Sequence, residues 1–84
     1  MNIFVGNLDF KLDESDLEKI FEEYGTVSSV KIIVDKFTGR SKGFGFVTME
    51  NKVEANKAIK ELDGTTIESR QMVVNEAKPR RTSY

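Results

Sequence analysis

Apolar residues, many of them β-branched or aromatic, are concentrated in four short segments of the chain, each bounded by residues that favour turns. Segments of this composition and length are typical of β-strands. The pattern predicts four strands, at residues 3–8, 26–35, 42–49 and 71–77. Pro79 ends the fourth, because proline has no backbone N–H to donate to a neighbouring strand.

Two further segments, at residues 13–25 and 51–64, have apolar residues at spacings of three and four, which predicts amphipathic helices. The apolar stripes consist of Leu17, Ile20, Phe21 and Tyr24 in the first segment, and of Ala55, Ala58, Ile59 and Leu62 in the second. Asp13 and Asn51 are predicted N-caps, and Glu54 has capping-box spacing from Asn51. A glycine follows each stripe and is predicted to end the helix.

These segments follow the order β-α-β-β-α-β, which is typical of the ferredoxin-like, split βαβ fold of the α+β class. Two helices about 10 Å wide can cover one face of a four-stranded sheet about 19 Å across, but not both faces. The second face is therefore expected to be open to solvent. A chain of 84 residues suffices for one domain, predicted at residues 1–79 and followed by a short basic tail at 80–84.

The segment KGFGFV, from Lys42 to Val47, raises the question of which residues occupy the open face. Strand alternation places Phe44 and Phe46 on one face with Lys42 and Thr48, and the two glycines on the other. Either the two rings belong to the core or they are displayed to solvent, and alternation alone leaves both open. The charged and polar neighbours favour display, and glycines facing the helices would let a helix approach closely.

Alternation also assigns the second and fourth strands to the two faces. The residues predicted to face the helices are Val30, Ile32, Val34, Met72 and Val74. The residues predicted to face outward are Lys31, Ile33, Asp35, Val73 and Asn75. In the first strand, Phe4 competes with Ile3 and Val5 for the inward face, and alternation leaves that choice open.

The composition excludes several kinds of function. The chain has no Cys and no His, so it can form neither a thiolate or imidazole metal site nor a Ser–His or Cys–His catalytic pair. Its acids lack metal-ligand spacing, and GFGFVT lacks the third glycine of a dinucleotide-binding loop. The sequence thus predicts a protein that is not an enzyme and has no cofactor or metal. With no apolar run near the ~18 residues of a membrane span and no signal peptide, a soluble cytoplasmic domain is expected.

Charge is distributed unevenly, although the net charge is only −1. Residues 1–35 contain eight acids and three lysines, whereas residues 36–84 contain ten basic residues and six acids. Acids of the helices, such as Glu18, Glu22 and Glu61, are interpreted as a solvated face. Acids gathered on the helical side would leave a basic face elsewhere on a nearly neutral domain.

Two motifs resemble those of a known family. KGFGFVTM, at residues 42–49, matches the octapeptide K/R-G-F/Y-G/A-F-V-x-F/Y at seven of eight positions, and Met49 departs at the last. IFVGNL, at residues 3–8, is similar to the family's hexapeptide on the first strand. With both motifs in a β-α-β-β-α-β chain, the sequence resembles an RNA recognition motif domain over essentially its whole length. It is most similar to stand-alone, single-domain bacterial RNA-binding proteins and to the domain of glycine-rich RNA-binding proteins.

The resemblance implies an antiparallel sheet in the order 4-1-3-2, with the two motif strands adjacent at its centre. It further implies that Phe4 and Phe46 each stack on a base of single-stranded RNA and that Phe44 packs against the sugars between them. Lys42 would pair with a backbone phosphate. All three rings are therefore expected on the open face.

The resemblance also implies contacts around these rings. The residues expected there are Lys31, Arg40, Asn75, Lys78 and the main chain near Ala77. Lys31 and Asn75 would reach base edges or phosphates, while Arg40 and Lys78 lie where the family makes loop and post-sheet contacts. The expected function is the binding of single-stranded RNA by a monomer. Single-stranded DNA binding and a protein-interaction role of the same fold are the alternatives.

Three residues near strand ends have structural interpretations instead. Asn7 is expected to stabilise a turn. Phe10 and Phe37 are expected to cover the edge of the core and a loop, respectively.

Overall fold

The structure is a computed structural model that describes residues 1–77, with Ser41 and Lys42 described by their backbone alone. Its elements are β1 (Asn2–Gly6), α1 (Glu14–Glu22), β2 (Ser29–Val34), β3 (Ser41–Thr48), α2 (Lys52–Leu62), β4 (Thr66–Ile67), β5 (Arg70–Gln71) and β6 (Val73–Glu76). The predicted order of strands and helices is confirmed. The short β4–β5 hairpin was not predicted, and Gln71, expected to begin the last long strand, belongs to it. The predicted end of the domain at residue 79 and the tail at 80–84 lie outside the described residues.

The four long strands form one antiparallel sheet in the order β2-β3-β1-β6. Read from the other edge, this is the expected order 4-1-3-2, with β6 as the fourth strand. The helix α1 packs on β2, and α2 packs on β6. The ferredoxin-like α+β prediction is confirmed, with the two strands that carry the motifs adjacent at the centre of the sheet. Neither helix of the described chain is long and apolar enough to cross a membrane.

Both predicted N-caps are confirmed. The Asp13 carboxylate accepts a hydrogen bond from the Asp16 amide, 2.9 Å, and the Asp16 carboxylate accepts from the Asp13 amide, 3.3 Å, so this capping box is reciprocal. The Asn51 side chain likewise accepts from the Glu54 amide, 3.0 Å. The Glu54 carboxylate, however, accepts from the amide of Thr26 at 3.2 Å, and thereby ties α2 to the loop before β2.

The hydrophobic core lies between the helices and one face of the sheet. The buried apolar residues of the four long strands are Ile3, Val5, Ile32, Val47 and Val74, joined by Met49 directly after β3. The buried helix residues are Leu17, Phe21, Ala55, Ala58 and Leu62. Met49 is fully buried, so its departure from the family octapeptide affects packing rather than the open face. Of the six phenylalanines, only Phe21 belongs to the buried core. The core interpretation of the strand phenylalanines is therefore wrong.

Two glycines of β3 face inward as predicted, but their nearest neighbours are not helix atoms. A Cβ on Gly45 would lie against the carbonyl oxygen of Lys31 and 3.0 Å from the Cα of Ile32, both in the backbone of β2. A Cβ on Gly43 would lie 3.2 Å from the ring of Phe10, and Gly43 has φ +87°. These glycines therefore allow neighbouring strand and loop atoms to approach closely.

Val34 departs from the predicted alternation. It is 50% exposed, whereas Ile32, two residues earlier, is buried. The pairing of β2 with β3 shifts register between these two residues, and the backbone amide of Ile32 donates to the Glu14 carboxylate, 3.0 Å. The strand thus loses regular pairing where it leaves the cover of α1.

Candidate nucleic-acid interface

The open face of the sheet presents its side chains in rows that cross the strands. In the central row, Asn75 of β6 is opposite Phe4 of β1, Phe4 is opposite Phe46 of β3, and Phe46 is opposite Lys31 of β2. With neighbouring strands about 4.8 Å apart, this row extends roughly 14 Å. The strand order thus aligns an amide, two rings and an ammonium group, which are far apart in the sequence.

The Phe4 ring contacts the other two rings of the face. The centroids of Phe4 and Phe46 are 5.8 Å apart with an edge-on interplanar angle of 64°, and those of Phe4 and Phe44 are 6.0 Å apart at 33°. Phe46 is 38% exposed, while Phe4 and Phe44 are half-buried by their neighbours. Aromatic pairs at this spacing stabilise each other by about 0.5–1.5 kcal/mol. The rings form one supported aromatic surface, as the resemblance implied.

Gly6 allows the position of the Phe4 ring. A Cβ on Gly6 would lie 2.8 Å from Cε2 and 3.0 Å from Cζ of Phe4. The ring therefore extends along β1 toward residue 6 and covers the position that a side chain at that residue would occupy. Gly6 is itself buried. The glycine of the hexapeptide is thus part of the aromatic surface without contributing an atom to its exposed side.

Twelve described residues make up this open face, which we call the platform. They are Asn2, Phe4, Gly6, Ser29, Lys31, Ile33, Phe44, Phe46, Thr48, Val73, Asn75 and Ala77. None of the twelve is acidic. Asp35, which alternation assigned to this face, lies beyond the end of β2, where its carboxylate accepts a hydrogen bond from the Phe37 amide in the loop. The predicted carboxylates Glu18, Glu22 and Glu61 are exposed on the helices instead, and α1 alone carries four acids and one lysine. The platform is therefore separated from the acidic part of the domain.

The other predicted contact residues fall at the margins of the platform or outside the described part of the chain. Arg40 is exposed at the end of the β2–β3 loop, where its backbone amide donates to the Thr38 hydroxyl, 3.2 Å. The amide of Ala77 donates to the carbonyl of Asn2, 2.8 Å, so this N–H is already used within the sheet. The side chain of Lys42, and Lys78 altogether, lie outside the described residues.

The β4–β5 hairpin holds an arginine that sequence reasoning missed. Nη1 of Arg70 donates to Oδ1 of Asn7, 3.1 Å, and its guanidinium carbon lies 5.0 Å from the centroid of the Phe10 ring. The Asn7 amide donates in turn to the Gln71 carbonyl, 2.7 Å, and Asn7 has φ +54°. The Asn7 side chain thus joins the bend after β1 to the hairpin, and no bond of this side chain within its own turn is seen in the described residues. Hairpins of this kind carry little sequence signal when the turn is Glu68–Ser69 rather than a glycine pair.

Asp9 belongs to the same corner of the molecule. Its carboxylate accepts hydrogen bonds from the Lys11 amide, 2.8 Å, and from the Ser69 hydroxyl, 3.1 Å. The bond from the Lys11 amide is the main cause that lowers the pKa of Asp9, followed by the bond from Ser69 and the charges of Lys11 and Arg70. Asp9 therefore links the loop after β1 to the hairpin in its ionised form.

The two remaining phenylalanines are more exposed than their interpretation implied. Phe10 is 59% exposed at the edge of the core, between Gly43 and Arg70. Phe37, expected to cover the β2–β3 loop, is 98% exposed, so that expectation is wrong. The loop is held by Asp35, whose carboxylate accepts from the amides of Phe37, 2.7 Å, and Thr38, 3.1 Å. These hydrogen bonds to the loop backbone hold the loop, and the exposed Phe37 ring does not pack over it.

The chain belongs to the RNA recognition motif family. The sequence model of that family matches residues 3–73, which include both motif strands and both helices. The resemblance inferred from the two motifs is therefore confirmed.

Relatives of the chain include proteins of similar length and longer ones. It is 48% identical over 80 residues to the putative RNA-binding protein RbpA of Synechocystis sp., an alignment that covers 95% of this chain and 79% of that protein. It is 45% identical over 84 residues to the 28 kDa chloroplastic ribonucleoprotein of Nicotiana sylvestris, with 98% of this chain aligned but only 30% of that protein spanned. The likeness to bacterial proteins of this family is thus confirmed.

A solved structure agrees with the fold. The crystal structure of RNA binding protein PG1 superposes with a TM-score of 0.91 at 46% identity, over 96% of this chain and 98% of that one. The names of these three proteins describe RNA binding or ribonucleoproteins rather than enzymes.

Proposed function

We propose that this domain binds single-stranded RNA on the platform, as a monomer. The observation that carries the proposal is the central row, in which two adjacent rings are flanked by an amide and an ammonium group in paired register. Proteins similar to this chain over most of its length are named as RNA-binding proteins, which supports the same function.

In this proposal the two rings of the central row, Phe4 and Phe46, each stack on a base, and Phe44 packs against the sugars between them. Stacking on an aromatic side chain contributes about 1–3 kcal/mol per base and is largely independent of base identity. Two stacked bases account for a modest affinity. A single domain of this kind therefore holds only a few nucleotides.

The charged and polar neighbours supply the remaining contacts. Lys31 and Asn75, at the two ends of the central row, reach phosphates or base edges, and the exposed Arg40 adds a contact from the loop. Lys42, Lys78 and the main chain at Ala77 complete the set expected from the family motifs. Three or four phosphate contacts give a log–log dependence of affinity on salt with a slope of about −2 to −3 for a single strand.

The test is a titration of the protein with short RNA and DNA oligomers of varied sequence, monitored by fluorescence anisotropy at several salt concentrations. The Phe44→Ala/Phe46→Ala double variant is expected to remain folded and to lose RNA binding. A Phe46→Leu variant, which keeps an apolar side chain but removes the π-face, is expected to lose much of the same affinity. Val53→Ala is the matched control, since Val53 is 78% exposed on α2, away from the sheet.

Two results would contradict the proposal. If the double variant lost several kcal/mol of stability, as buried aromatic residues do, the rings would be structural rather than displayed. If RNA perturbed no NMR resonance of the platform, the protein-interaction alternative would take its place. Equal affinity for DNA of the same sequence would widen the ligand to single-stranded nucleic acids in general. The cytoplasmic location stays a prediction, and the relative from Nicotiana sylvestris is named as chloroplastic.

A further inference from the structure

Phe10 connects the loop after β1 to the start of β3. Its ring lies over the side of Gly43 that carries no side chain, where a Cβ would come within 3.2 Å of Cε1 of Phe10. The Gly43 carbonyl also accepts a hydrogen bond from the Leu8 amide, 2.8 Å. Gly43 has φ +87°, a conformation that residues with a side chain rarely adopt. The start of β3 thus has an unusual backbone that the Phe10 ring covers.

Arg70 of the β4–β5 hairpin lies over the Phe10 ring. Its guanidinium carbon is 5.0 Å from the ring centroid, a cation–π distance. The guanidinium is itself held, because Nη1 donates to Oδ1 of Asn7, 3.1 Å, and Nδ2 of Asn7 donates to the Gln71 carbonyl, 2.7 Å. Since Phe10 is 59% exposed, the core does not enclose its ring. Arg70 therefore contributes to the orientation of this ring.

Phe44, the residue after Gly43, lies where the regular pairing of β3 is interrupted. The pairing of β3 with β1 stops at Gly45 and does not include Phe44. The pairing with β2 shifts register between Ile32 and Val34, opposite the same part of β3. Regular pairing with neighbouring strands therefore does not fix the backbone of Phe44, and the contacts made at Gly43 carry more of that role.

We propose that Phe10 and Arg70 are positioning residues for RNA binding, which hold the backbone at Gly43 and so direct the Phe44 ring onto the platform. This inference rests on the proposed function, since it requires RNA on the platform. Neither Phe10 nor Arg70 belongs to the platform itself. Their effect on RNA affinity is therefore transmitted through Phe44 and not through a contact of their own with RNA.

The first experiment is a double-mutant cycle between Phe10 and Phe44 on the affinity for a short RNA oligomer. Phe10→Ala is expected to weaken binding about fivefold, the equivalent of part of one stacking contact, whereas Phe10→Tyr keeps the ring and should bind as the wild type does. Phe44→Ala retains the two rings of the central row and hence measurable binding. In that background Phe10→Ala should have no further effect. Urea unfolding of each variant shows that the compared proteins are equally folded.

The second experiment separates positioning by Arg70 from a direct contact with a phosphate. Arg70→Ala is expected to weaken binding about two- to threefold, since one cation–π contact at an exposed site is weak, and to leave the dependence of log affinity on log salt unchanged. Lys11→Ala is the matched control, because Lys11 is an exposed cation next to Phe10 in the sequence. It removes the same charge and should leave the affinity nearly unchanged. A phosphate contact by Arg70 would instead make the salt slope less steep by about 0.7.

Three results would overturn the inference. They are an equal loss from Phe10→Ala in both backgrounds, as a merely structural role would give, an unchanged affinity of Phe10→Ala, and a less steep salt slope for Arg70→Ala. A measurement without RNA separates the inference from the proposed function. In the free protein, nuclear Overhauser contacts between the rings of Phe44 and Phe4 should weaken in Phe10→Ala, and unchanged contacts would also overturn it. A wild-type protein that bound no RNA would overturn the proposed function instead.

Discussion

Replacing Gly6 by alanine tests whether the backbone of β1 sets the position of a binding ring. The new methyl group would lie 2.8 Å and 3.0 Å from two carbons of the Phe4 ring, well inside ordinary van der Waals contact. Both contacts are to the far end of a side chain, so the ring can swing away while the strand stays in place. We therefore expect Gly6→Ala to move the ring of Phe4 without unfolding the domain.

The expected magnitudes follow from this geometry. Alanine in place of glycine inside a strand stabilises by about 0.5–1 kcal/mol, and forcing a side chain off its rotamer costs about 0.5–1.5 kcal/mol. The two terms nearly cancel, so the free energy of unfolding should change by less than about 1 kcal/mol. Binding should suffer more, since a displaced ring loses one stacking contact of about 1–3 kcal/mol. That loss corresponds to a dissociation constant at least about fivefold higher.

The assay is a double-mutant cycle on RNA affinity, with urea unfolding as the stability measurement. Wild type, Gly6→Ala, Phe4→Ala and the double variant are titrated with the same oligomer. If Gly6 acts only through the ring, its substitution weakens binding in the wild type but has no further effect once Phe4 is alanine. Equal losses in both backgrounds would refute this reasoning, as would unchanged affinity in the single variant.

Three further substitutions test contacts that hold the fold. Gly45→Ala would push a methyl group into the backbone of β2, which cannot rotate away, so we expect urea unfolding to show a free energy of unfolding lower by about 1–3 kcal/mol. Gly39→Ala, at a residue with φ +71° and open space around it, measures the cost of backbone conformation alone. An unchanged stability of Gly45→Ala would contradict the close approach of β2. Asp9 has a lowered pKa in the folded state, so its stabilising effect is present above its unfolded pKa and is lost as the pH falls through the folded value. Asp9→Asn should therefore lower the free energy of unfolding at neutral pH, and it should make the loss of stability below about pH 4 less steep. If the variant lost stability with falling pH as steeply as the wild type, the Asp9 carboxylate would not stabilise the folded state.

The sequence predicted those features that depend on local periodicity and capping. The stripes of both helices, the caps at Asp13 and Asn51, and the inward faces of Met72 and Val74 all agree with the structure. Outward placement of Phe44 and Phe46 followed from alternation together with the motif resemblance. The stripes and caps are encoded by residues close together in the chain, where spacing alone carries the information, whereas the outward placement of the two rings also needed the resemblance.

Features that depend on contacts between distant segments were not predictable in the same way. The hairpin at residues 66–71 is held by Asn7 and Asp9, more than 50 residues away in the sequence. Exposure of Val34 follows from a register shift against β3, which alternation within β2 cannot reveal. The lack of a side chain at Gly45 lets the backbone of β2 approach closely, and not a helix as the sequence suggested. Which atoms lie next to this glycine depends on how the strands pair, and composition does not reveal that pairing.

The separation between the platform and the acidic helix α1 gives a nearly neutral domain an electric dipole moment. A polyanion that approaches from the side of α1 meets four carboxylates and one lysine, whereas the platform presents Lys31 and no carboxylate. At physiological ionic strength this asymmetry acts over a Debye length of only about 8 Å. It therefore orients an encounter at close range without the long-range attraction that makes strongly basic proteins accumulate on any nucleic acid. In the proposed function, discrimination between ligands then depends on short-range contacts on the sheet.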